Sequence, residues 1–218
     1  MGRKESRIQS WTSRFLLTIF IIFTTQKLIS SPVDDHQERF EDVALKIWEY
    51  AELGYLEEKS SGLLQQELED SGFTIQSGIA GIPTAFIAEY NNGGPVLGIL
   101  GEFDALPGLS QQNVPFKTAE GLSSANGHAC GHHLFGAASA WAVVAIKEWL
   151  EESGTPGTIR FYGTPAEEGG SGKVYIARDG YFDDVDIVLH WHPASGNSAD
   201  AQSSNSNKSG KFTFSGIS

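Results

Sequence analysis

Pro95-Val96-Leu97-Gly98-Ile99-Leu100-Gly101-Glu102-Phe103-Asp104 is the stretch that points most directly to the fold of this chain. An apolar run of strand length leads straight into two carboxylates, and Pro107-Gly108 follows as a turn signal. Open α/β sheets carry their functional sites beyond the carboxyl ends of their strands. The stretch therefore predicts a strand over 95–100 with a polar site at its end. The alternative is that Glu102 and Asp104 are surface charges beside a turn.

Apolar periodicity predicts that helices and strands alternate along the rest of the chain. Helices are predicted over 36–53 with Gly54 at the end, over 60–71 with Gly72 at the end, over 134–150 and over 172–179. Strands are predicted over 84–90, 158–162, 186–191 and 211–214, with a loop over 195–210. The turn signal Asn91-Asn92-Gly93-Gly94-Pro95 predicts a hairpin between the strands 84–90 and 95–100. This alternation predicts a three-layer α/β domain.

Further polar clusters lie where predicted strands end or a predicted helix begins. They are His128-Ala129-Cys130-Gly131-His132-His133, Thr164-Pro165-Ala166-Glu167-Glu168-Gly169-Gly170 and His190-Trp191-His192-Pro193. Taken singly, each cluster could be surface charge or half-buried histidine. Surface charges have no reason to collect repeatedly at strand ends, so the pattern favours one shared metal site.

Cys130 is the only cysteine of the chain and has no partner for an internal disulfide. Thiolate and imidazole are both good ligands for zinc, and histidines surround this cysteine. The spacing is too tight for a zinc finger. Such a site needs carboxylates from elsewhere in the chain and keeps a position open for water.

The adjacent Glu167 and Glu168 can take two different roles, because the side chains of neighbouring residues diverge. One can ligate the metal while the other takes a proton from the metal-bound water. The attack of that water on a polarised carbonyl is amide hydrolysis. The ordinary alternative is a solvated pair at a helix start, where the helix dipole favours acidic residues.

Charge and the N-terminus bear on partners and location. The chain has 218 residues and a formal net charge of −12, which argues against nucleic-acid binding. Basic residues precede an apolar run over 15–23, and Ser30-Ser31-Pro32 follows. Residues 1–31 are therefore predicted to be a signal peptide or an N-terminal anchor. The protein is expected to be exported, periplasmic or secreted, or membrane-anchored, with the cytoplasm as the alternative.

The motifs resemble those of the M20 metallopeptidases. Gly-Glu-Phe-Asp-Ala-Leu-Pro-Gly from Gly101, His-Ala-Cys-Gly-His from His128, Pro-Ala-Glu-Glu-Gly-Gly from Pro165 and Trp-His-Pro from Trp191 occur in the family's order. Tyr50-Ala51-Glu52-Leu53-Gly54-Tyr55 also resembles the end of the family's first helix. The resemblance spans residues 36–218 and is strongest to the amidohydrolase branch, which includes p-aminobenzoyl-glutamate hydrolases and indole-acetyl-amino-acid hydrolases.

The resemblance implies a three-layer αβα zinc-peptidase-like catalytic domain, with residues 36–210 forming its N-terminal part. Residues 211–218 would be the start of a lid or dimerisation domain. The chain is expected to be truncated before the rest of that domain. The implied activity is hydrolysis of an N-acyl amino acid or a p-aminobenzoyl-glutamate-like substrate, with two divalent ions, zinc or manganese. The full-length protein would be a homodimer through the lid, and this part alone is expected to be inactive or weakly active and to expose apolar surface.

The resemblance also implies roles for particular residues. The implied metal ligands are Cys130, His132, Glu168 and His192. Glu167 would be the general base, and Asp104 would orient a ligand from behind.

Some questions stay open at this stage. His190 lies two residues from His192 on the same predicted strand face, so it is not excluded as a ligand. His133 departs from the family, which often has Asp or Asn there, and could donate a hydrogen bond or add a ligand. Two alternatives remain: a catalytically silent metal-binding paralogue, and a cysteine hydrolase that uses Cys130.

Overall fold

The computed structural model describes residues 35–110, 112, 114–116, 118, 125–199, 203, 205–206 and 210–217. The predicted signal peptide or anchor over residues 1–31 lies outside these residues. Within the described part of the chain, no helix is both long enough and apolar enough to cross a membrane.

A mixed 5-stranded sheet forms the centre of the molecule, in the order β1-β2-β4-β3-β5. Its strands are β1 Thr74–Ser77, β2 Phe86–Asn91, β3 Val96–Gly101, β4 Thr158–Gly163 and β5 Ile187–Leu189. Strands β3, β4 and β5 run parallel to one another, and β2 and β1 continue the sheet antiparallel. The carboxyl ends of the three parallel strands therefore meet at one edge.

Helices cover both faces of this sheet. They are α1 Gln37–Tyr50, α2 Glu58–Asp70, α3 His132–Ser153, the single turn α4 Glu167–Gly170 and α5 Gly172–Arg178, with a 3₁₀ turn at Ile79–Gly81. Phe161 of β4 packs with α1, α2 and α3 in one apolar cluster. The next residue, Tyr162, points to the opposite face and packs with Ile176 of α5. This confirms the predicted α/β class with helices on both sides of the sheet.

The predicted hairpin between β2 and β3 is wrong, because β4 lies between them. The turn that joins β2 to β3 bonds instead to the segment entering β4. Asn92 N donates to Gly157 O over 3.1 Å, and Thr158 N donates to Pro95 O over 2.9 Å. Helix α3 returns the chain beside β3 as a parallel crossover, and this long-range pairing leaves no room for the local one.

Other boundaries differ for local reasons. Helix α1 ends at Tyr50 because Ala51 adopts a left-handed conformation (φ 43°), three residues before the predicted Gly54. The predicted strand over 211–214 is wrong, since no described strand pairs with it and Phe214 is 91% exposed. Strand β1 was not predicted because its sequence, Thr-Ile-Gln-Ser, is short, polar and mostly exposed.

Apolar surface is exposed along β5, as expected from the sequence. Ile187 is 57% exposed, Val188 43% and Leu189 50%. Strand β5 is the last strand in the sheet order and pairs only with β3 among the described strands. No described strand therefore covers its outer edge.

The turn between β2 and β3 offers a test of this topology. Gly93 and Gly94 both have positive φ, 73° and 69°. A Cβ added at Gly94 would lie 2.5 Å from Pro156 O, whereas one added at Gly93 would meet nothing within 4 Å. Either alanine substitution should cost about 1–2 kcal/mol for the left-handed backbone. Gly94→Ala should cost about 1–3 kcal/mol more, because it pushes apart the segments that align β3 with β4.

Denaturant unfolding of the two variants measures this difference, with Gly93→Ala as the matched control. Equal losses in the free energy of unfolding would show that the turn does not pack against the segment leading into β4.

Candidate metal centre

The four sequence motifs meet at the carboxyl edge of the parallel strands. Glu102 and Asp104 follow β3, the pair Glu167-Glu168 follows β4, and the stretch from His190 to His192 follows β5. The cluster around Cys130 opens helix α3 at the same edge. The predicted site residues are thus brought together by the strand order.

Asp104 joins two of these motifs directly. Its side chain is fully buried (0% exposed), and its Oδ1 lies 2.8 Å from His132 Nδ1. Its Oδ2 accepts a hydrogen bond of 2.9 Å from the backbone N–H of Glu168. Because the carboxylate accepts at Nδ1, the other ring nitrogen of His132 is left to face the centre of the site.

His132 Nε2 lies at the middle of a group of carboxylates. Glu102 Oε2 is 2.9 Å away, and Glu167 Oε2 and Glu168 Oε1 are each 4.0 Å away. Burial disfavours the charged ring, but its contacts with Asp104 and Glu102 outweigh this and raise the pKa of His132 to about 10. The site therefore attracts positive charge strongly at this nitrogen.

The polar atoms at this centre fit a divalent metal ion. His132 Nε2, Glu102 Oε2 and Glu168 Oε1 are buried and have no hydrogen-bond partner among the described residues. Buried polar atoms without partners are rare and costly, and here a nitrogen and two oxygens converge. A shared cation would satisfy all three.

Cys130 and His192 form the other side of the centre. Cys130 Sγ lies 3.4 Å from His192 Nε2. The ligand atoms of Cys130, His132 and His192 all lie within 4.8 Å of one another. Burial, together with the nearby Glu168, raises the pKa of the Cys130 thiol to about 12. The thiol is therefore protonated unless a cation displaces the proton.

The structure separates His192 from His190. His192 Nδ1 donates to Pro193 O over 2.9 Å, which leaves Nε2 available on the Cys130 side. His190 lies against Glu102 instead, with Nε2 3.7 Å from Glu102 Oε1. The two histidines line different parts of the site.

The turn α4 holds Glu167 and Glu168 in different surroundings. The Glu167 side chain is 46% exposed, and that of Glu168 is 22% exposed. Left-handed residues bound the turn, Ala166 at φ 57° and Ser171 at φ 56°. Partial burial, followed by the charge of Glu102, raises the pKa of Glu167. Glu167 is thus the more exposed of the two glutamates, and its carboxylate takes up a proton more readily than a solvated one.

Glu57, which the sequence analysis did not name, and Tyr55, to which it gave no role, support this turn. Glu57, which is fully buried, accepts a hydrogen bond of 2.8 Å from Ala166 N. Tyr55 OH donates to Gly170 O over 2.6 Å. Burial raises the pKa of Glu57. The motif that ends at Tyr55 is the only sign of this support in the sequence. The support itself depends on contacts between residues that are more than a hundred positions apart in sequence.

Glu102 is the other missed residue. The alternative that it is a surface charge is wrong, since it is 2% exposed. Lys173 Nζ contacts its Oε1. Burial opposes its charge, but contacts with His132, His190 and Lys173 hold the pKa of Glu102 well below its usual range. The signal in the sequence was its spacing of two from Asp104, which places both on one side of an extended chain.

His133 packs beside His128. Its ring centroid lies 5.1 Å from that of His128, and His128 Nε2 lies 3.0 Å from Ile47 O. Burial lowers the pKa of both rings to about 4. Neither ligand group found among the described residues includes His133.

A cavity of about 420 Å³ adjoins Asp104 and Glu168. Its other walls are mainly apolar and are formed by Leu53, Tyr55, Ala105, Leu106, Pro107 and the glycines of α4. The cavity is large enough for an aromatic or acyl group.

Comparison with known proteins adds an independent view. Residues 98–205 match peptidase family M20/M25/M40. The chain is 46% identical over 167 residues to a p-aminobenzoyl-glutamate hydrolase component of Escherichia coli K12, covering 77% of this chain and 35% of that protein. It is 33% identical over 184 residues to the Xaa-Arg dipeptidase of Homo sapiens, covering 77% and 38%. The chain therefore spans little more than a third of the length of these relatives.

Solved structures agree on the fold. The YXEP protein of Bacillus subtilis, a dinuclear metal-binding peptidase from the M20 family, has a TM-score of 0.63 and 26% identity, over 74% of this chain and 44% of that chain. An aminobenzoyl-glutamate utilization protein from Klebsiella pneumoniae has a TM-score of 0.56 at 16% identity, over 77% and 46%. At that lower identity the likeness shows the fold alone. The resemblance stated from the motifs is confirmed, and the chain belongs to peptidase family M20/M25/M40.

Proposed function

We propose that this chain carries the metal centre of an amidohydrolase that cleaves N-acyl amino acids or p-aminobenzoyl-glutamate-like substrates. The observation that carries the proposal is the convergence of buried, unpartnered ligand atoms on His132 Nε2 beside the open carboxylate of Glu167. The similarity to an E. coli p-aminobenzoyl-glutamate hydrolase component supports the substrate class.

The proposed ligands are Cys130, His132, Glu168 and His192. The proposed cofactor is a pair of divalent ions, zinc or manganese, and the thiolate of Cys130 favours zinc for at least one of them. Such an ion would supply Lewis acidity toward the amide carbonyl and toward water. Asp104 orients His132 and the backbone of Glu168, so it acts as a positioning residue.

Glu167 is the proposed general base. Its carboxylate is half exposed and lies on the same side of the site as His132 Nε2. It accepts a proton from the attacking water and delivers that proton to the leaving nitrogen as the amide bond breaks. The raised pKa of Glu167 suits both halves of this transfer.

The neighbouring cavity suits the acyl side of the substrate. Leu53, Tyr55, Leu106 and Pro107 give it apolar walls next to Glu168. A benzoyl or other acyl group would bury apolar surface there while its carbonyl faces the ligands.

A cysteine hydrolase is disfavoured by the state of Cys130. A nucleophilic cysteine needs a thiolate near neutral pH, whereas burial and nearby carboxylates hold the pKa of this thiol at about 12. Cys130 fits a metal ligand better than a nucleophile. Export by residues 1–31 and a homodimer through a lid domain are further proposals, which rest on the sequence.

Metal binding can be followed through Cys130, because it is the only cysteine. Zinc should protect it from alkylation. Asp104→Asn should raise the zinc concentration needed for half protection by about 10–100-fold, because His132 loses its orienting carboxylate. The measurement is the rate of iodoacetamide labelling, by mass spectrometry, against free zinc.

Asp184→Asn is the matched control, since Asp184 is an exposed aspartate that pairs with Arg160. Protection in this variant should match that of the unchanged chain. If Asp104→Asn were protected at the same zinc concentration as the control, Asp104 would have no role in metal binding.

Glu167→Gln should lower kcat for p-aminobenzoyl-glutamate by about 10²–10⁴-fold in the full-length protein while its metal content stays the same. The unchanged enzyme should lose kcat/KM as pH falls through the raised pKa of Glu167, because the base becomes protonated. That acid limb should be absent from the residual activity of the variant.

Glu168→Gln is the companion variant and should lose metal as well as activity. A catalytically silent metal-binding paralogue would bind zinc and hydrolyse neither p-aminobenzoyl-glutamate nor any of a panel of N-acyl amino acids. Turnover that is unaffected by Glu167→Gln would exclude Glu167 as the base.

A further inference from the structure

We propose that Glu102 is an additional metal ligand, binding through Oε2 to the ion held by His132 Nε2. The proposal rests on the metal-dependent function proposed above. The strand-end pattern placed Glu102 near the predicted metal site without a role of its own, and the family resemblance gave it none. The structure places it with His132 and Glu167 in a group whose ligand atoms lie within 4.8 Å of one another.

The geometry of the Glu102–His132 contact supports coordination over a simple hydrogen bond. Glu102 Oε2 lies 2.9 Å from His132 Nε2. Both atoms are buried, and by strict hydrogen-bond geometry neither has a partner among the described residues, although they are close enough to form an ion pair. Two buried ligand atoms that lie this close to each other are arranged to share a cation.

The other oxygen of Glu102 is already held. Lys173 Nζ contacts Oε1, and His190 Nε2 lies 3.7 Å from the same atom. These contacts occupy Oε1, whereas Oε2 lies next to His132 Nε2. Ligation would therefore be through one oxygen.

The burial of Glu102 costs free energy unless both of its carboxylate oxygens have partners. The residue is 2% exposed, and a buried carboxylate oxygen without a partner costs free energy. Lys173 offsets the cost of burial for Oε1 only. A second cation bound at Oε2 would offset the cost of burying that oxygen.

A carboxylate at this point would also broaden the choice of metal. Cys130 and His192 are ligands that favour zinc, whereas carboxylate oxygens suit manganese and magnesium as well. With Glu102, the His132 side of the centre has more oxygen ligands than the Cys130 side. Removing Glu102 should therefore weaken manganese binding more than zinc binding.

The test is Glu102→Gln in the chain as it exists, with metal binding measured by calorimetry for Mn²⁺ and Zn²⁺. The absorption spectrum of the Co²⁺-loaded protein reports the ligands independently of activity. We expect at least about tenfold weaker Mn²⁺ binding and a changed Co²⁺ spectrum. Unchanged affinity for both metals together with an unchanged spectrum would overturn the proposal.

Glu89→Gln is the matched control. Glu89 lies on β2 in the same sheet and pairs with Arg160, so this change also removes the carboxylate from an ion pair with a basic side chain. It should leave metal affinity and the Co²⁺ spectrum unchanged. Equal effects of the two substitutions on metal binding would assign the Glu102 effect to lost stability and count against the proposal.

Two further variants separate ligation from folding. Lys173→Met removes the partner of Oε1 but leaves Oε2, and should retain the Co²⁺ spectrum if Oε2 is the ligand. Glu102→Asp keeps the charge beside Lys173 but withdraws the oxygens, and should weaken Mn²⁺ binding even if Glu102→Gln fails to fold. Wild-type Mn²⁺ affinity in Glu102→Asp would contradict ligation.

The outcome also distinguishes this proposal from the proposed function. If the unchanged chain binds no divalent metal, the metal-dependent function itself fails. If it binds metal and Glu102→Gln binds it equally well, only the role of Glu102 fails.

Discussion

The buried carboxylate of Asp104 is the constraint on which the site depends. One oxygen orients the ring of His132 and the other holds the backbone of Glu168, so the end of β3, the start of α3 and the turn after β4 are locked together. A buried carboxylate is costly unless its oxygens are satisfied, and here both are. The buried carboxylate thus holds together two of the proposed ligands, His132 and Glu168, which come from distant parts of the chain.

A second set of contacts supports the same arrangement from the segment after α1. Ala105 N donates to Glu52 O over 2.8 Å, and Glu57 binds the backbone N–H that precedes α4. Tyr55 reaches the far end of α4 from a left-handed backbone conformation, φ 67°. Such a conformation in a non-glycine residue is unfavourable and persists only where its surroundings hold it. The brace and the site it supports are therefore a single structural unit.

The gathering of the four motifs was predictable from the sequence, because parallel strands end at one edge of a sheet. Strand pairing was not, since the turn after β2 has every local sign of a hairpin while β4 displaces it through a long-range crossover. Glu102 shows a second limit. Its buried charge is paired with Lys173, which lies on a helix 71 residues later in the sequence. Local sequence patterns identify residues with reactive or metal-binding side chains. Only the tertiary contacts show which of the carboxylates are buried away from solvent.

The outer edge of β5, which no described strand covers, has a consequence for this chain in solution. An uncovered strand edge with apolar side chains can pair with another chain, and shortness and nearby charge are common ways of limiting this. Strand β5 has three residues and follows the exposed Asp183, Asp184 and Asp186. The net charge of −12 adds repulsion between molecules. Salt shortens the reach of that repulsion to about 10 Å at 0.1 M and does not weaken the apolar edge. Colloidal stability therefore falls as ionic strength rises.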